Sequence, residues 1–268
     1  MKTKIIYPRH PVLKEFIQYF LFIEKEDFKE VSQICYPNTN HCLSLMQDSY
    51  LFKQNDFNYS VLPSNTNSSY LTGIYKNPIN ISANFPYKEL CINFNPLGLE
   101  AILNEKLSSF IFKNNVLNYY EEANWSHLFE IVFSKNSLQS IHCEIEAFFI
   151  SNIKENFMSY QNFDLNKIES SVNVNEVSEL INKSYRSTHR FFKSELGLTP
   201  KEFLIIKKVR EGMQSIFDNK SITEIAYDLD FTDQSHFIKT FKKYTNLSPL
   251  QFRKSVLKVD NTLIWNIE

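Results

Sequence analysis

The sequence predicts an α+β chain: a mainly-β N-terminal domain with packing helices, then an all-α C-terminal domain of two helix-turn-helix units joined by a long helix. Three observations carry this. Short β-branched and aromatic runs fill the first part of the chain, the apolar spacing turns helical from Leu97 onward, and the C-terminal segment repeats itself at an offset of 49 positions. With 268 residues, 43% of them hydrophobic and 15% aromatic, the chain has room for two domains, each with its own core.

Taken in order, Ile17 to Ile23, Leu43 to Met46, Tyr70 to Tyr75 and Leu90 to Phe94 read as strands, broken by clusters such as Asn65 to Ser69. Leu99, Ile102 and Leu103, then Leu128, Ile131 and Val132, then Ile141, Ile145, Phe148 and Phe149 carry the spacing of packing helices. The polar stretch 152–167 reads as a linker. It divides the chain into a sensor or dimerisation-like domain (1–151), a helical domain (168–258) and a tail (259–268). Residues 1–164 hold 13 Lys/Arg against 17 Asp/Glu, whereas residues 165–258 hold 16 against 11. The helical domain is therefore basic and suits a polyanionic partner.

In the repeat, Arg190 to Phe203 falls on Lys239 to Phe252, with Phe192-Lys193 on Phe241-Lys242 and Thr199-Pro200 on Ser248-Pro249. Each Thr/Ser-Pro opens a helix: the hydroxyl residue is the N-cap, proline takes the first turn, and Glu202 or Gln251 completes a capping box. Gly197 and Asn246 stand where a helix ends in left-handed backbone. Upstream, each copy shows a short helix, a tight turn and a second helix. The first packs through Val174, Val177 and Ile181, turns at Asn182 and restarts at Ser184. The second uses Ile222, Ile225, Ala226 and Leu229 after a Ser221/Glu224 box, turns at Asp230-Phe231 and restarts near Thr232 or Asp233. Between them, Pro200 to about Phe217 reads as one helix through Phe203, Ile206, Val209 and Met213, with Gly212 as its weak point.

The second helix of each copy separates into two faces. Arg186, Arg190 and Lys193 oppose Thr188, Phe191 and Phe192; Ser235, Lys239 and Lys242 oppose Phe237, Phe241 and Tyr244. A core stripe backed by a cationic or hydroxyl stripe is what a helix in a DNA major groove requires.

These residues give the segment from about Val174 to Lys254 its resemblance to the DNA-binding domain of the AraC/XylS family of bacterial transcriptional regulators. The likeness runs through Ser184-x-Arg186, Arg190-x-Phe192-Lys193, Gly197-x-Thr199-Pro200, the stretch from Ile222 to Phe237, Phe241-Lys242-Lys243 and Ser248-Pro249-x-x-Phe252-Arg253. It implies two helix-turn-helix units that place recognition helices in successive major-groove segments of double-stranded DNA. By position, Arg186, Arg190, Ser235 and Lys239, with Gln234 beside them, contact bases; Lys193, His236, Lys242 and Lys243 contact phosphates. Thr188 and Ser178 depart from the family's leucine and alanine, implying looser packing of the first unit, and Asp230 adds negative charge near the DNA side. The N-terminal half resembles the sensor-like domain of some of these regulators through His10-Pro11-x-Leu13, Tyr36-Pro37-Asn38, Leu71-x-Gly73 and Ile92-x-Phe94-x-Pro96-Leu97-Gly98. This implies a small-molecule effector or a homodimer, and RNA polymerase as partner if the protein is an activator. The alternative reading is an effector-independent regulator whose N-terminal half only binds protein or dimerises.

Other classes find no support in the residues. No phosphate loop, Gly-x-Ser-x-Gly or dinucleotide fingerprint occurs, so no enzyme and no cofactor are expected. His10, His41, His127 and His142 form no ligand-like pair, so no metal is expected, and His41 beside Cys42 reads as a structural histidine. Cys35, Cys42, Cys91 and Cys143 include no Cys-x-x-Cys and read as free thiols. The longest apolar run, Phe16 to Ile23, is too short to cross a bilayer, and the N-terminus carries no signal-peptide pattern, which places the expected protein in the cytoplasm at the bacterial nucleoid.

Overall fold

The computed structural model describes residues 1–103, 117, 125–134, 136–153, 168, 173–255, 257–259 and 263–267. The expected linker, 152–167, lies almost wholly outside the described residues. In chain order the N-terminal half runs β1 (Lys2–Ile6), α1 (Pro11–Phe16), β2 (Ile17–Lys25), β3 (Val31–Cys35), β4 (Cys42–Gln47), β5 (Ser49–Lys53), β6 (Asn58–Pro63), β7 (Ser68–Thr72), β8 (Ile79–Ala83), β9 (Tyr87–Phe94), α2 (Gly98–Leu103), α3 (Trp125–Val132) and α4 (Leu138–Asn152). The C-terminal half runs α5 (Val174–Leu180), α6 (Tyr185–Leu196), α7 (Pro200–Phe217), α8 (Ile222–Asp228), α9 (Gln234–Thr245), α10 (Pro249–Ser255), β10 (Leu257–Val259) and β11 (Leu263–Ile267). The α+β class predicted from the sequence is the class observed.

Two sheets form, in the orders β1-β2-β9-β4-β7 and β10-β11-β3-β8-β6-β5. All pairings are antiparallel except β6 with β8. Tyr19, Leu21 and Ile23 of β2 turn toward the second sheet, joining Leu51, Val61, Ile79 and Ile81 in a core between the sheets. Ile17 and Phe20 turn the other way, into a second core with Leu128, Ile141, Ile145 and Phe149 of the helices. A strand covered on both faces needs no polar alternation, which is why the run from Phe16 to Ile23 is apolar apart from the exposed Gln18. The expected strand Tyr70 to Tyr75 ends at Thr72, because Ile74 leaves the sheet to join the core of the C-terminal helices.

That third core is shared. Tyr36, Ile74 and Leu97 of the N-terminal half pack in one cluster with Val177, Phe192, Phe203, Phe237, Phe241 and Phe252. Tyr36 and Phe252 meet edge to face at 5.4 Å between ring centroids. The expectation of one self-contained core per domain is thus corrected, since the loops leaving β3 and β7 fill the base of the helical domain. Within residues 259–268, β11 pairs antiparallel with β3, with Asn266 opposite Ile34 and Ile267 opposite Gln33. Leu263, Trp265 and Ile267 alternate with the period of a strand, and β3 offers the edge that β11 completes.

Candidate nucleic-acid interface and adjoining cavity

The C-terminal helices are set by local chemistry. Thr199 Oγ1 accepts from the Glu202 amide at 3.2 Å while Glu202 Oε2 accepts from the Thr199 amide at 2.8 Å, which opens α7. Ser221 and Glu224 repeat this box at α8, and Ser248 and Gln251 do so at α10. The turns are left-handed where the sequence places them, at Asn182 (φ 51°) and Asp230 (φ 54°), and α6 and α9 end on Gly197 (φ 70°) and Asn246 (φ 61°). Asn and Asp adopt this backbone more readily than other L-residues, so the scarcity of glycine leaves the motif intact. Helix α6 is capped by Ser184 and α9 by Asp233. Asn182 matches Asp230 and Ser184 matches Asp233, so the second turn is one residue longer than the first.

Capping sets where α6 and α9 begin, and their packing sets which sides face water. On α6, Thr188, Phe192 and Leu196 are buried while Arg186, Arg190 and Lys193 are exposed. On α9, Phe237, Phe241, Tyr244 and Thr245 are buried while Gln234, Ser235, His236, Lys239, Lys242 and Lys243 are exposed. Every residue expected to contact DNA therefore faces solvent. One core assignment is corrected: Phe191 is only half-buried, and its ring lies under the Lys183 ammonium at 5.3 Å. Several of the candidate side chains also serve the helices themselves. Lys193 Nζ donates to the Gly197 carbonyl at 3.3 Å, Gln234 Oε1 accepts from Thr223 Oγ1 at 3.2 Å, and the His236 ring stands edge-on to Phe231.

The departures from family pattern are accommodated. Ser178 Oγ donates to the Val174 carbonyl at 2.8 Å and Thr188 Oγ1 to the Ser184 carbonyl at 3.1 Å, so both buried hydroxyls are satisfied within their own segments. Lys208 Nζ lies 3.8 Å from Asp230 Oδ2 and 5.6 Å from the Phe231 ring centroid, which offsets the added negative charge.

Residues 177–255 match a family model described as Helix-turn-helix domain. This segment is an AraC-type helix-turn-helix domain. Among curated relatives, the Msm operon regulatory protein of Streptococcus mutans is 28% identical over 121 residues, 42% of this chain and 43% of that protein. The transcriptional activator RhaS of Escherichia coli is 33% identical over 84 residues, 31% of this chain and 30% of RhaS. The chain thus spans less than half the length of these relatives. Among solved structures, ToxT of Vibrio cholerae aligns over 95% of this chain and 98% of its own, at 12% identity and a TM-score of 0.44.

Behind the AraC-type domain lies a feature that the sequence does not announce. A cavity of about 110 Å³ opens between the two sheets, and Arg210 of α7 reaches its wall. Glu89, Gln33, Tyr19 and Tyr70 line it, as do Cys35, Cys42 and Cys91, three of the four free thiols. Glu89 is buried and accepts hydrogen bonds from Tyr70 Oη at 2.7 Å and Cys91 Sγ at 3.2 Å. Desolvation, with Glu89 and Cys42 adding to it, pushes the Cys35 thiol up to about 12, while Arg210 pulls the other way. These residues are brought together from five strands and one distant helix, so no local spacing signals them.

A second buried pair is likewise non-local. His41 Nδ1 lies 3.1 Å from Glu100 Oε1, both side chains almost fully enclosed. Desolvation alone would lower the His41 pKa, but the Glu100 carboxylate overcomes it and raises it. Among the described residues, no group of three His, Cys, Asp or Glu side chains is placed to hold a metal ion, and no helix is long and apolar enough to cross a membrane.

Proposed function

We propose that this chain is a sequence-specific transcriptional regulator that reads double-stranded DNA with α6 and α9 in successive major-groove segments and is controlled by a small effector bound in the N-terminal cavity. The observation that carries the reading is the duplicated exposed face: Arg186, Arg190 and Lys193 on one helix, and Ser235, Lys239, Lys242 and Lys243 on the other, each backed by a buried stripe packed into the core. In this reading Arg186, Arg190, Gln234, Ser235 and Lys239 contact base edges, and Lys193, His236, Lys242 and Lys243 contact phosphates. The 18 residues of α7 span roughly 27 Å at 1.5 Å per residue, a rod of suitable length to hold two readers along one face of the duplex. Arg210 supports the effector part, because it belongs to this rod and also lines the cavity. We assign residues 1–151 to the effector domain and 168–258 to the DNA-reading domain.

Footprinting on genomic DNA tests the reading. Protection is expected over two adjacent major-groove segments about one helical turn apart. Arg190→Ala should release one segment and Lys239→Ala the other; a single protected segment lost equally with either variant would refute two-site reading.

A further inference from the structure

The cavity holds two groups of opposite charge that do not pair with each other. Glu89 meets only the neutral donors Tyr70 and Cys91, and it has no cation within ion-pair distance among the described residues. Arg210 makes one weak hydrogen bond, from Nη1 to Met213 Sδ at 3.9 Å, and has no carboxylate within that distance among the described residues. Gln33 is 5% exposed and lines the same space, with Oε1 receiving no hydrogen bond. The two fields reach different parts of the wall. Arg210 acts on Tyr19 and Tyr75, Glu89 acts on Tyr70, and Cys35 feels both.

We propose that the cavity binds a zwitterionic small molecule of the amino-acid type, its carboxylate held by Arg210 and its ammonium by Glu89, with Gln33 Oε1 accepting a further N–H. The assignment rests on the reading of this cavity as the effector site. Charge complementarity selects the class. A neutral sugar leaves both charges enclosed without a counter-charge, and an aliphatic acid satisfies Arg210 while laying hydrocarbon against the Glu89 carboxylate. A molecule carrying both charges satisfies each pole and links the sheets to α7. Because Arg210 lies on the rod between the two helix-turn-helix units, such a ligand touches the DNA-reading domain directly.

Titration calorimetry and thermal shift on the full chain test this with α-amino acids, ω-amino acids and dipeptides, alongside straight-chain fatty acids and neutral pentoses. At least one zwitterion is expected to bind and raise Tm. Its C-terminal amide and its N-acetyl derivative, each lacking one charge, are expected to bind at least about tenfold more weakly. Glu89→Gln should abolish the preference for the free ammonium, and Arg210→Gln the preference for the free carboxylate. The analogue series on the unmodified protein decides the matter even if a variant folds poorly. Tight binding of a fatty acid or a pentose, with no zwitterion bound, overturns the ligand class and leaves the effector reading standing. If no compound in any class binds, while operator binding is intact, both are overturned.

Discussion

Single side chains on α6 and α9 divide the labour of binding in a way that mutation resolves. Arg190 is exposed on the face opposite Phe192, free to approach a base edge. Arg190→Ala should cost about 1–3 kcal/mol on the operator and relax preference at one base pair, measured by competition against single-base variants. Equal weakening on random DNA would remove its role in base reading. Lys242, in the last turn of α9, carries no sequence information in this scheme. Lys242→Ala should weaken binding to every duplex alike and lower the slope of log K against log salt by about one unit. The reading faces of these helices were legible because i, i+4 and i+7 spacing depends only on the sequence. Phe191 was misassigned for the same reason. Spacing gives a direction around the helix, and only the neighbours of α6 decide how far the core extends toward it.

Helix α7 shows how an element acquires a meaning that its own propensities contradict. Gly212 looks like a defect in an 18-residue helix. In the fold, a Cβ at that position would lie 2.9 Å from Phe237 Cε2 and 3.4 Å from Leu229 Cδ1. The missing side chain is what lets α7 approach α8 and α9 closely. Gly212→Ala should therefore destabilise the second unit by about 1–3 kcal/mol in urea unfolding, despite the gain in helix propensity. A rise in stability would show that Phe237 yields and that propensity governs. The caps of the same helices needed no such context. A Ser or Thr and a Glu or Gln three residues later each accept from the other's backbone N–H, and the boxes at Thr199 and Ser221 form as the sequence predicts.

At the scale of the whole molecule one carboxylate adds a charged link between the two halves to the core they share. Glu202 closes the α7 capping box and also pairs with Lys76, which belongs to the loop after β7. Desolvation raises its pKa, but the hydrogen bonds from Lys76 and Thr199 outweigh this and bring it from 4.5 down to about 2. A carboxyl depressed on folding contributes stability above its unfolded pKa, and that contribution is lost as the pH falls through the folded one. Solvent reaches this pair, so the contribution is on the order of 1 kcal/mol, present above about pH 4.5 and lost as the pH falls toward 2. Tm followed from pH 6 to 2 should fall less steeply in Glu202→Gln, which keeps the capping geometry and removes the charge. Parallel curves would show that the Lys76 pair does not hold the halves together.

The order and type of the C-terminal helices, their caps, their left-handed turns and their two faces follow from short-range rules, and the sequence alone determined them. Tertiary structure decided what depends on contacts between distant residues. It placed Tyr36 and Ile74 in the base of the helical domain, paired β11 with β3, enclosed His41 with Glu100, and set Arg210 and Glu89 around one cavity. The physical reason is the range of the forces. Backbone hydrogen bonding and side-chain periodicity act within a few residues, whereas burial and Coulomb interactions act between whatever side chains the fold brings within a few ångströms.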